Sequence, residues 1–271
     1  MIDDPHVGLG HLMIAIAEPH RAGLETYHRW FEREHMYSAV LVGPGAFAAE
    51  RYVAPQELKA LRYPRDSEVF PKPDAGSFVA LYDLVEGSVE EHFAWSYAQT
   101  ARLDAAGRTN RDRDLVLTWL CDYRGRVRRD ADSVPPEIAL DHPYRGLVMV
   151  WLEARDENAT RPLEEWLVSE HLPRSLVASP IDQVQLFAPR DFPEPTQDVP
   201  LTPGSIAPNP WKARGRLLLY FLDQAPQSAW STHFAKLGYA ISASGLGRVA
   251  LAAPFLPTRR GTRDHLDTLW S

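Results

Sequence analysis

The chain has 271 residues, 45% of them hydrophobic and 24% charged, a composition that fits a soluble globular protein of one large domain or two ordinary ones. A net charge of −7 argues against a nucleic-acid partner, and no apolar run approaches the roughly 18 residues that cross a bilayer. The single Cys121 cannot form an internal disulfide, and the opening residues Met1 to His6 lack the basic and apolar regions of a signal peptide, so a cytoplasmic location is expected.

In chain order, residues 12–17 read as a buried strand and 19–23 as a turn. Residues 24–39 form a helix with Leu24, His28, Phe31 and His35 along one stripe. Gly43-Pro44-Gly45 breaks the chain before a strand at 47–53. A charged, proline-containing loop reaches Gly76, followed by a strand at 78–84, a helix at 86–106 and a strand at 115–123. The order then recurs: strand 147–152, helix 162–177, strand 183–187, a proline-rich loop 189–210, strand 217–222, helix 229–242 and strand 248–253.

The recurrence is also literal. Trp30-Phe31-Glu32-Arg33-Glu34-His35 is echoed by Trp166-Leu167-Val168-Ser169-Glu170-His171, an offset of 166 − 30 = 136 that also pairs Met13 with Met149 and Pro44 with Pro180. Each half has the order β-α-β-β-α-β of the split, ferredoxin-like motif. The fold expected is α+β: two ferredoxin-like repeats (residues 1–126 and 144–257), a linker (127–143) and a C-terminal tail (258–271). The antiparallel sheets of the repeats would pack into an intramolecular α/β barrel with a pocket between them.

The segment carrying Trp30-Phe31, Glu34-His35, Val42-Gly43-Pro44-Gly45-Ala46-Phe47 and Ala49-Glu50-Arg51-Tyr52 resembles the dimeric α/β barrel superfamily, nearest its EthD-like and polyketide-cyclase-like branches. The resemblance implies a small-molecule enzyme, since the superfamily includes cyclases, lactone isomerases, lyases, monooxygenases and haem enzymes. Its members mostly dimerise to close the barrel. Here one chain carries both units, so closure needs no partner and a further homodimer stays open.

Strand alternation sorts the site residues. Leu12, Ile14 and Ile16 suit the helix side, which would turn His11, Met13, Ala15 and Ala17 into the barrel, opposite Leu147, Met149, Trp151 and Glu153 of the second copy. With Phe47 toward the helices, Ala48, Glu50 and Tyr52 would face inward, and Tyr82 and Tyr220 hold matching places. His35 leads the catalytic candidates: it titrates near neutrality and sits near a helix C-terminus, whose partial negative charge favours imidazolium. His11, replaced by Leu147 in the second copy, and Tyr52, a donor to a carbonyl or phenolate, complete the catalytic set. Arg51 for a carboxylate, Tyr82, Trp151, Glu153 as a buried acid, Tyr220 and His171 would line the substrate. Each has a plainer reading, as helix-terminal pair, strand-edge histidine or core aromatic. No metal-ligand spacing occurs. The activity expected is therefore a cofactor-independent acid–base lyase or decarboxylase, cyclase or isomerase acting on a small aromatic or polyketide-like molecule. The alternatives are a haem-dependent or oxygen-using enzyme, and a non-catalytic binder of an aromatic ligand.

Overall fold

The structure, a computed structural model, describes residues 7–195 and 209–271; most of the proline-rich stretch 189–210 lies outside them. The first half runs β1 (Leu9–Pro19), α1 (Leu24–Trp30), β2 (Ala46–Val53), α2 (Gln56–Leu61), β3 (Phe78–Val85), α3 (Val89–Ala105) and β4 (Arg113–Arg128). The second runs β5 (Gly146–Ala154), α4 (Thr160–Trp166), α5 (Leu172–Leu176), β6 (Ile181–Arg190), β7 (Gly215–Leu222), α6 (Pro226–Ala229), α7 (Leu237–Ala243) and β8 (Gly247–Pro257). In both halves the strands and main helices follow the order β-α-β-β-α-β. The helix α2, in a stretch read as loop, is an addition to it, and β4 runs into the stretch expected as linker, pairing through Arg128 with Gln183.

The eight strands close a barrel in the order β1-β3-β2-β8-β5-β7-β6-β4. Every pairing is antiparallel, and the halves meet along β4–β6 and, by two residue pairs only, along β2–β8. Strands buried on both faces need apolar residues at every position. Leu217-Leu218-Leu219-Tyr220-Phe221-Leu222 has them, and all of β7 is buried.

The barrel interior is filled. Leu12, Ile14, Ile16, Trp119, Met149, Trp151, Phe187, Phe221 and Phe255 belong to one continuous core within it, and Trp151 packs edge-on against Phe70 at 5.7 Å. This corrects the expected pocket between the sheets. It also reverses the expected faces of β1: the bulky aliphatics fill the barrel, while Met13 and Ala17 lie in the separate core under the first-half helices. The reason is register. Met13 pairs with Tyr82, and Val148, not Met149, pairs with Tyr220. Both tyrosines face helices, so the strands correspond at 148 − 13 = 135 while the helices correspond at 136. A one-residue slip turns every side chain to the other face. On β2 a bulge between Ala46 and Ala48 lets Phe47 pack on the barrel core beside Ala48 and Tyr52 rather than toward the helices.

In both halves the first helix widens into a π-helix, over Phe31–Leu41 after α1 and Leu167–His171 after α4. That widening explains the repeated Trp…His spacing. Residues five apart on an α-helix point about 140° away from each other, whereas π-helical geometry joins i to i+5. Trp30 stacks on His35 at 4.6 Å and Trp166 on His171 at 4.8 Å. At the end of the first π-helix, Gly45 turns the chain into β2 at φ 73°, where a Cβ would stand 2.3 Å from Ser88. Among the described residues no helix is long and apolar enough to cross a membrane.

Candidate functional site

A cavity of about 690 Å³ opens between the outer sheet face and the helices of the first half. Its floor is Met13, Ala15, Tyr82 and Thr118 on neighbouring strands, its roof Trp30 at the end of α1, His35 and Ala39 of the π-helix, and Phe93 and Tyr97 of α3. The space exists because Ala15 and Thr118, at the centre of the floor, are short. Ala15 pairs with Thr118, where the second half pairs Val150 with Ala252. There, Leu163, Leu167, Trp230 and Phe234 fill the volume between sheet and helices.

His35 is the central titratable group. It lines the cavity, and neither ring nitrogen has a hydrogen-bond partner among the described residues. Because the helix continues to Leu41, His35 is not at a helix C-terminus and the expected dipole support for imidazolium is absent. Burial, with Arg113 and Arg51 nearby, instead pushes its pKa down to about 3. The imidazole is thus neutral at working pH, held by Trp30 and by Phe31 at 5.3 Å. The hydroxyls of Tyr82 and Thr118 are also buried without partners, and burial pushes the Tyr82 phenol well up. At the mouth, Arg108 is paired with Glu34, and Arg111 stands 3.2 Å from Asp104. Trp30 Nε1 donates to the Arg108 carbonyl at 2.8 Å.

The expected catalytic set is not assembled. His11 lies near the start of β1, bonded to Asp122 at 2.9 Å, and does not line the cavity. Tyr52 belongs to the barrel core, across the sheet from His35. Arg51 does not turn inward; it points to the helix side with His35. Trp151 is core, and Glu153 is held by Arg214 at 2.5 Å and Arg248 at 2.6 Å. Tyr220 and His171 sit in the filled second half, each with an unpartnered buried polar atom. Tyr82 alone of the expected lining residues joins His35 at the cavity. Trp30, Thr118 and Arg113 were not among the expected site residues; the repeated five-residue Trp–His spacing, wrong for an α-helix, was the signal for Trp30. Among the described residues no cluster of side chains could hold a bare metal ion.

No protein-family model and no curated protein matches the chain. Solved structures share its fold over nearly its whole length. An anthrone oxidase-like protein superposes with a TM-score of 0.56 at 7% identity, covering 96% of both chains. A protein provisionally assigned as a monooxygenase from Fusobacterium nucleatum gives 0.52 at 8% identity, covering 94% of both. A Rhodococcus jostii DypB variant in complex with haem gives 0.50 at 9% identity, covering 97% of this chain and 96% of that one. The chain therefore has the dimeric α+β barrel fold. The cofactor-independent acid–base reading is overturned: the sheet separates His35 from Tyr52, His11 lies outside the cavity, and the structures of this fold are described as oxidase-like, monooxygenase and haem-bound.

Proposed function

We propose that the chain is a haem-dependent, oxygen-using enzyme whose site is the first-half cavity, with His35 as the residue that would hold the iron. The observation that carries this is a neutral, unpartnered imidazole facing about 690 Å³ of space. Neutral imidazole is the metal-binding form of histidine, and the volume is that of a cofactor or small-molecule site. Met13, Ala15, Leu115, Phe93 and Phe192 supply apolar walls for a flat macrocycle. Haem would supply the redox chemistry. The chain's own part is to exclude water with Trp30 and Phe93, and to offer the Tyr82 and Thr118 hydroxyls as donors. The two ferredoxin-like halves are read as a tandem duplication, with residues 1–126 and 144–257 as the two units, the first holding this cavity.

One feature favours a second reading, an oxygen-using enzyme without haem acting on an aromatic molecule. Metal-bound histidines almost always donate their other ring N–H to an acceptor, and His35 has none; the Trp30 stack alone orients it. Titration with hemin separates the two. The expected result is a one-to-one complex with a Soret band that His35→Ala shifts or abolishes. No Soret perturbation with excess hemin sinks the haem reading, and oxygen uptake with aromatic substrates then tests the second.

A further inference from the structure

Behind His35 the cavity leads to an inner recess of about 30 Å³, lined by Tyr27, Phe31, His35, Arg51, Phe78 and Arg113 with small aliphatic residues. It has room for roughly two water-sized groups. No carboxylate lines it, and two cations do. Arg51 is 1% exposed, with its guanidinium 3.9 Å from the Phe78 ring centre and 4.5 Å from that of Phe31. Its Nη1 is spent on His28 at 2.9 Å. The Tyr27 hydroxyl favours the charged guanidinium but does not cap Nε or Nη2, which have no hydrogen-bond partner. Glu32 forms an ion pair with Arg51, its Oε1 standing 3.8 Å from Nη1, while its Oε2 accepts from Gly261 N at 2.8 Å. Arg113 lies over Trp30 at 4.7 Å, donates to the Asn110 carbonyl, and has no ion-pair partner among the described residues. Arg113 differs in this from the mouth arginines Arg108 and Arg111, which are matched by Glu34 and Asp104. A buried charge is costly unless paired and hydrogen-bonded, so Arg113 without an ion-pair partner, with Arg51 Nε and Nη2 uncapped beside it, asks for a negative group.

We propose that this recess is a small-anion subsite that takes a carboxylate or a halide-sized monoanion between Arg51 and Arg113. The anion has two sources, the carboxylate of an aromatic acid whose ring fills the outer cavity, or a free inorganic monoanion. The proposal deepens the reading of the cavity as a ligand site and does not depend on haem.

The test is calorimetric titration of the protein with benzoate, its neutral isostere benzamide, formate and bromide. Benzoate is expected to bind about tenfold or more tightly than benzamide, the worth of one charge-assisted hydrogen bond. Arg113→Gln, at a partly exposed strand end, should erase that preference without the folding risk of Arg51→Met. Benzoate binding with no response to formate or bromide assigns the subsite to an organic acid. Response to formate and bromide with no benzoate binding assigns it to a free anion. Equal binding of benzoate and benzamide, with no anomalous bromide peak beside Arg51 and Arg113 in soaked crystals, overturns the proposal. Hemin uptake without anion preference would defeat the subsite and leave the haem reading standing; anion preference without hemin uptake would do the reverse.

Discussion

Arg51 donates from Nη1 to Nδ1 of His28 over 2.9 Å, while Nε2 of His28 bonds the Thr262 carbonyl over 2.8 Å. A guanidinium can only donate, so His28 accepts at Nδ1, carries its proton on Nε2 and is neutral. It thereby ties a buried sheet arginine to the C-terminal segment. That segment is also anchored by Leu266 and Leu269 in the first-half core and by Trp270 Nε1 donating to Glu18 over 2.7 Å. The helix bearing His35 is held from both sides, by the sheet below and by the chain end above.

Removing that link has a definite cost. His28→Ala leaves Arg51 Nη1 and the Thr262 carbonyl without partners, and a lost hydrogen bond to a charged group costs about 2–3 kcal/mol. Urea unfolding should show a loss of that size. Limited proteolysis should cut within residues 258–271 faster than in the parent. Parental cleavage rates would mean that the apolar anchors alone hold the segment.

Acid should weaken the fold through the same helix. Burial, then Arg51, holds the His28 pKa below its usual 6.5, and burial with the nearby arginines takes His35 to about 3. Below about pH 6.5 the unfolded chain binds protons at these positions that the folded chain refuses, so stability falls as pH drops toward 3. The slope is at most about 1.4 kcal/mol per pH unit for each histidine. Unfolding free energies between pH 7 and pH 5 should fall less steeply for His35→Phe than for the parent. Parallel curves would show that His35 is not held neutral by the fold.

The order of strands and helices was legible because alternation, glycine turns and apolar runs are local signals. The face of β1 was not. Leu12, Ile14 and Ile16 are equally suited to the underside of a helix and to the inside of a barrel, and only the pairing of Met13 with Tyr82 decides. The literal repeat misled in the same place, since its 136-residue offset holds in the helices and slips by one in the strands. His35 was visible as a residue, but its environment was not. A π-helix that carries it away from a helix end, and arginines brought from β2 and β4, are long-range facts that no local pattern contains.

The filled barrel makes a claim about Trp151. It is fully buried against Phe70 and Trp119 and does not border the cavity. Trp151→Ala should cost about 3–5 kcal/mol, the range for deleting a large aromatic from a core. The folded fraction should still bind hemin with parental affinity. A large loss of affinity in protein that remains folded would move the site into the barrel.

Ala15 makes the converse claim. It forms part of the cavity floor opposite Thr118, where the second half carries Val150 opposite Ala252 and encloses a packed core. Ala15→Val adds two methyl groups to empty space rather than to a packed core, so the overpacking cost of about 1–3 kcal/mol seen in tight interiors should not arise. Stability should hold or rise slightly, while hemin affinity falls about tenfold or more as the floor lifts toward His35. Thr118→Val gives a control of nearly equal volume. It removes a buried hydroxyl that has no partner, so stability should be unchanged or higher, and any fall in affinity would then report the lost donor rather than lost space. If both variants bind hemin like the parent, the ligand does not reach the sheet floor, and the site would have to lie nearer the arginine-lined mouth.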